Sequence, residues 1–177
     1  MWELEAMFQQ YVDINEAKRV RHSFYNNNRT NPYVSEVKHA ITERFYVGIY
    51  YEEESDEVLS GFRLIEPYAY GLGYVHPQTK ETLYPNRQYL RAFVVMDTEK
   101  DDAAKKKFHT KRTSVSLTDR APFWRLFRLD RITSWFTFPK RFPRYRDLYN
   151  PDDRMMRRVL TSLDYNDFPY GKLEIDK

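Results

Sequence analysis

Residues 121–138, APFWRLFRLDRITSWFTF, decide how the rest of the chain is read. Trp124, Leu126, Phe127 and Leu129 predict a short buried strand, with Arg125, Arg128 and Arg131 threaded through it. Leu129-Asp130-Arg131-Ile132 is too short for an α-helix and predicts a single helical turn. Ser134 to Phe138, aromatic and hydroxylated, predicts a second strand. Three guanidinium groups among apolar side chains each need an anion or a carboxylate partner.

Outward from that stretch, Tyr46–Tyr51, Gly61–Tyr68 and Gln88–Met96 predict three further strands. Pro67 suits the end of the second of these, and Tyr70–Arg87 an extended loop or small hairpin. In the third, Leu90, Ala92, Val94 and Met96 alternate with Tyr89, Arg91, Phe93 and Val95. The first set suits a core, and the second places Arg91 between aromatics on the other face. Leu4, Met7, Phe8, Tyr11 and Val12 recur at helical spacing near the N-terminus. A second helix is expected from Ser35, as N-cap, to about Arg44, burying Val37, Ala40 and Ile41. Asn150-Pro151-Asp152-Asp153 reads as a helix start, and Met155, Met156, Val159, Leu160 and Leu163 as the apolar face of a C-terminal helix.

The 177 residues suffice for one domain with a normal core. A formal charge of +3 permits a nucleic-acid partner without requiring one. The 15 Tyr and 12 Phe can fill a core and still show ring faces to a ligand. The absence of Cys excludes disulfides, thiolate metal sites and cysteine nucleophiles. No apolar run approaches the roughly 20 residues of a membrane span, and the acidic, amphipathic MWELEAMFQQ is no signal peptide. The expected location is the cytoplasm.

Enzyme signatures are missing. His22, His39, His76 and His109 are scattered without the spacing of a metal helix. Gly71-Leu72-Gly73 is a lone GxG, read as a turn, and Glu52–Glu57 lacks the alternation of a calcium loop. No cofactor, metal or catalytic residue is expected, and the chain is read as a non-enzyme.

Four segments together resemble the WYL domain family: Ile49-Tyr50-Tyr51, Phe62-Arg63-Leu64-Ile65-Glu66-Pro67, Tyr89-Leu90-Arg91-Ala92 and Trp124 to Ile132. They correspond to that family's strand ending in Tyr, its R-x-x-x-P strand, its Trp-Tyr-Leu strand and its R-x-F-R-L-D-R-I segment. Order and spacing match over roughly Val34 to Phe138, with Gln88 where the name-giving Trp is expected. Stand-alone WYL-like proteins of large tailed phages and bacteria also carry Tyr-Asn-Pro-x-Asp before a Met-containing helix, as Tyr149 to Met155 does here.

The resemblance implies an α+β fold, a five-stranded SH3/Sm-like β-barrel flanked by N-terminal and C-terminal helices. Strand, single turn, strand is also how small barrels of that kind close. The expected divisions are residues 1–33, a helical extension; 34–138, the barrel domain; and 139–177, a basic segment and helix. The family implies a regulatory domain that binds nucleic acid, single-stranded favoured, or a nucleotide-like anion.

The expected ligand-binding residues are Arg63, Tyr89, Arg91, Arg125, Phe127 and Arg131, with Tyr89 and Phe127 available for stacking. Arg128 is assigned to the scaffold; carboxylates for such ion pairing are Glu66, Asp130 and Asp147. A secondary basic surface is expected at Lys105, Lys106, Lys107, Lys140, Arg141 and Arg144. The alternative is a phage structural or host-interaction protein that uses the barrel as a protein contact or a homo-oligomer interface.

Overall fold

The computed structural model describes residues 2–17, 33–52, 61–97 and 124–169. The fold is α+β, a six-stranded, mostly antiparallel sheet with two helices. In chain order these are α1 (Trp2–Ala17), α2 (Val34–Thr42), β1 (Phe45–Tyr51), β2 (Gly61–Val75), β3 (Thr82–Asp97), β4 (Trp124–Arg128), β5 (Ile132–Arg141) and β6 (Met156–Ser162). A 3-10 turn, Leu129–Arg131, joins β4 to β5, as the sequence predicts.

The strands follow the order β4-β3-β2-β1-β5, and β6 pairs with β2. Among the described residues β4 pairs only with β3, and β5 only with β1, so the hydrogen-bonded path is open. The long strand β2 anchors the sheet. β3 runs along it from Arg63 to Val75, while β1 pairs with Gly61–Ile65 and β6 with residues 69–74.

Both faces of the sheet are covered, which is why β1 reads as a near-continuous apolar run rather than an alternating one. Val47, Ile49 and Tyr51 enter one cluster with Val37, Ala40 and Ile41 of α2, together with Phe127, Leu129 and Ile132. Tyr50, on the opposite face, joins Leu4, Phe8, Tyr11 and Val12 of α1, with Phe62, Leu64 and Phe138. Burying each such large side chain contributes roughly 1.5–3 kcal/mol. Gly48 lets α1 come close: a β-carbon there would sit 2.7 Å from the Tyr11 ring. The Tyr11 and Ser134 hydroxyls hydrogen-bond at 2.8 Å.

Several expectations are corrected. The expected C-terminal helix is strand β6. Met156 pairs with Tyr74 and Thr161 with Tyr70, so pairing to β2 overrides an apolar spacing that fits a helix as well. Asp153 starts no helix: its Oδ1 accepts from the Met155 backbone N–H at 2.9 Å. β2 does not end at Pro67. A register shift falls between Pro67 and Ala69, and the strand runs on to Val75. Tyr70–Arg87 is therefore a hairpin, the second of the two readings open to its sequence, with strand on both sides of the tip at residues 76–81.

Gly71 and Gly73 lie within β2 rather than in a turn, and they are where β6 comes close. A β-carbon on Gly71 would overlap the Arg158 carbonyl oxygen, and one on Gly73 would lie 2.9 Å from Arg157 Cβ. The α2 N-cap is Tyr33, not Ser35, whose hydroxyl donates to Glu36 within the first turn. In β3, pairing skips Val95 between Ile65↔Val94 and Leu64↔Met96. Met96 thereby leaves the face of Leu90, Ala92 and Val94 and joins the α1 side.

Candidate functional site

The sheet separates the residues expected to bind ligand. Arg63 is buried on the α2 side, its guanidinium 5.2 Å from the Tyr51 ring centroid and 5.8 Å from that of Phe127. Phe127, at 2% exposure, meets Tyr51 edge to face at 4.9 Å. Both thus sit inside the core. Arg91 forms an ion pair with Asp153, Nε to Oδ2 and Nη2 to Oδ1, the latter at 3.1 Å. That pair ties β3 to the segment leading into β6.

Arg125 is exposed on β4, opposite Ala92. Arg131 is half-buried at the end of the 3-10 turn, where its carbonyl accepts from the Glu52 N–H at 3.0 Å. Lys140 pairs with Glu3 at 3.1 Å, Arg141 pairs with Glu43, and Arg144 is exposed. Lys105, Lys106 and Lys107 lie outside the described residues.

Tyr89 is different, because it lines a cleft of about 460 Å³. Its neighbours there are Tyr51, Tyr74, Tyr84, Arg87 and Arg128, with Leu126 and Met155 as apolar wall. Four strands build the site: β1 with Tyr51, β2 with Tyr74, β3 with Tyr84, Arg87 and Tyr89, and β4 with Leu126 and Arg128. Tyr89 stands opposite Arg128 across the β3–β4 pair, and β2 brings Tyr74, whose ring lies 6.2 Å from that of Tyr89. Met155, just before β6, is fixed by its carbonyl accepting from the Val75 N–H at 2.9 Å. Tyr84 is 57% exposed and forms the rim; its φ of 49° is in the left-handed region, unusual for an aromatic residue. The Arg87 guanidinium lies 4.1 Å from the Tyr84 ring centroid.

Charge converges on the Tyr89 hydroxyl. Burial raises its pKa above the ordinary tyrosine value, opposed by a hydrogen bond from Arg87 and the positive charge of Arg128, so the phenol keeps its proton at neutral pH. Arg128 donates to Asp130 twice, Nε to Oδ1 at 3.1 Å and Nη2 to Oδ2 at 2.6 Å. Burial lowers the Arg128 pKa, but Asp130 outweighs it and the guanidinium is held above its ordinary range. The Arg128 backbone N–H donates to the Tyr51 hydroxyl at 3.2 Å, fixing that end of β4.

Among the described residues expected at the site, only Tyr89 lines this cleft. Tyr74, Tyr84, Arg87 and Met155 escaped sequence reading because 70–87 was left between an extended loop and a small hairpin and 154–163 was taken for a helix. One signal was there: stepping back two residues from Tyr89 along a strand puts Arg87 on the same face. Among the described residues no helix is long and apolar enough to cross a membrane. No protein-family model, curated protein or solved structure matches the chain.

Proposed function

We propose that the chain is a non-catalytic, cytoplasmic binding domain for single-stranded nucleic acid or a nucleotide-like anion, acting as an accessory or regulator. The observation that carries this reading is Arg87 stacked 4.1 Å over the exposed Tyr84 ring at the rim of a tyrosine-walled cleft. A guanidinium beside an open aromatic face supplies the two contacts a nucleotide asks for. These are a cation for the phosphate and a platform for the base, the latter contributing roughly 1–3 kcal/mol per stacked base. A volume of about 460 Å³ suits a ligand of that size.

The strand order and the single turn between β4 and β5 support reading the five strands β1–β5 as an SH3/Sm-like barrel of the WYL kind. The site is then built on that barrel's strands β1 to β4, with Met155, just before β6, as an added wall. The test is binding of labelled single-stranded RNA, single-stranded DNA and duplex at two salt concentrations. Preference for single strands, weakening as salt rises, is expected. Duplex preference, or no binding to any of the three at the lower salt, overturns the proposal.

A further inference from the structure

The cleft holds two cations in unequal states. Arg128 is engaged through both Nε and Nη2 by the two oxygens of Asp130, at 3.1 and 2.6 Å. Among the described residues no carboxylate pairs with Arg87, which lies over Tyr84 and reaches the Tyr89 hydroxyl. Among the described residues, Arg87, Arg128 and Asp130 together carry a single net positive charge at the cleft. Asp130 belongs to the 3-10 turn, its side chain is 49% exposed, and its two bonds to Arg128 hold its carboxylate beside that cleft-lining guanidinium.

We infer that the cleft accepts a nucleotide unit bearing one negative charge, the internal phosphodiester of a strand, and that Asp130 is the residue that turns away more highly charged nucleotides. The inference rests on the nucleotide reading of the cleft and adds its charge selectivity. A phosphodiester carries one charge and is matched by Arg87 alone. A terminal phosphate carries about 1.5–2 negative charges, and a nucleoside triphosphate more. To hold the surplus, such a ligand must recruit Arg128. That means displacing Asp130, which is fixed two residues away and stays beside the anion as a like charge. Selectivity thus comes from a repulsive group built into the site, in addition to the attractive one.

The test is calorimetric binding of a dinucleoside monophosphate and of adenosine triphosphate to the wild type and to Asp130→Asn. Melting temperatures are taken on the same samples. The wild type should bind the dinucleotide at least as tightly as the triphosphate. Asp130→Asn should tighten the triphosphate on the order of tenfold, the scale of one charge-assisted hydrogen bond, with the dinucleotide changed far less. Arg128→Gln should abolish the gain when added to Asp130→Asn. If Asp130→Asn does not fold, Asp130→Ser serves, since it also removes the charge. Equal changes for both ligands, or none, overturn the inference and leave the binding site standing. Failure of both probes to bind any variant overturns the two together.

Discussion

Arg146 Nε and Nη2 donate to the two carboxylate oxygens of Glu66 at 2.8 and 2.6 Å, joining a residue of β2 to one that comes 80 positions later. Glu66 is 1% exposed, the Tyr68 hydroxyl donates to it at 3.3 Å, and the Arg146 N–H donates to that hydroxyl at 3.1 Å. The guanidinium also lies 4.6 Å over the Phe93 ring. This network, rather than an apolar contact alone, holds the segment after β5 onto the sheet.

Removing one partner leaves the other charge buried. Arg146→Met should therefore destabilise the fold by about 3–5 kcal/mol in urea unfolding. The double variant Glu66→Leu with Arg146→Met should recover much of that loss, because no buried charge remains. A single variant as stable as the wild type contradicts the buried pairing.

Gly71→Ala tests the β2–β6 contact. The added methyl meets the Arg158 carbonyl oxygen and lies 2.9 Å from the Met156 sulfur. Overpacking of this kind should cost about 1–3 kcal/mol. It should also speed amide hydrogen exchange in β6 more than in β1, since only β6 is forced away. Unchanged exchange in residues 156–162 contradicts the packing described.

High pH should unfold the protein through its buried phenols. Burial is the main cause that pushes the Tyr11 hydroxyl from 10.0 up to about 12, against the lowering effect of Ser134. Tyr46, Tyr68 and Tyr149 are raised too, chiefly by burial. Below pH 10 both folded and unfolded states hold the Tyr11 proton, and the stability it contributes is fully present. Between there and about 12 only the unfolded state releases the proton, so stability falls as pH rises. Tyr11→Phe should flatten that fall by about 1.4 kcal/mol per pH unit, one proton's worth. Denaturant midpoints across this range measure it, and an unaltered slope contradicts the assignment.

The parts of the fold legible in the sequence are those where local pattern and tertiary context agree. Phe127, Leu129 and Ile132 bracket a turn too short to be anything else, and the α1 face of Leu4, Phe8, Tyr11 and Val12 keeps its period throughout. Legibility failed where long-range pairing decides. Pro67 and Gly71 signal breaks locally, yet a register shift absorbs the first and the close approach of β6 requires the second. Met155, Met156, Val159 and Leu160 fit a helix as readily as a strand, and only the edge of β2 resolves the ambiguity. The site shared that fate. Tyr84, Arg87 and Tyr74 meet because β2 and β3 run on through residues whose prolines and glycines left an extended loop as open as a small hairpin. Two of the arginines expected to bind ligand, Arg63 and Arg91, are committed to ring faces and to Asp153.

The most direct test of the central claim is the affinity of a labelled single-stranded oligonucleotide for the wild type, Tyr84→Ala and Arg87→Gln, read by fluorescence anisotropy alongside thermal melting. Tyr84 is exposed and Arg87 lies against it, so neither change should unfold the protein. Each should weaken binding by about tenfold, Tyr84→Ala through lost stacking and Arg87→Gln through a lost phosphate contact that also lessens the salt dependence. Wild-type affinity in both variants, at unchanged melting temperature, would contradict the assignment of this cleft.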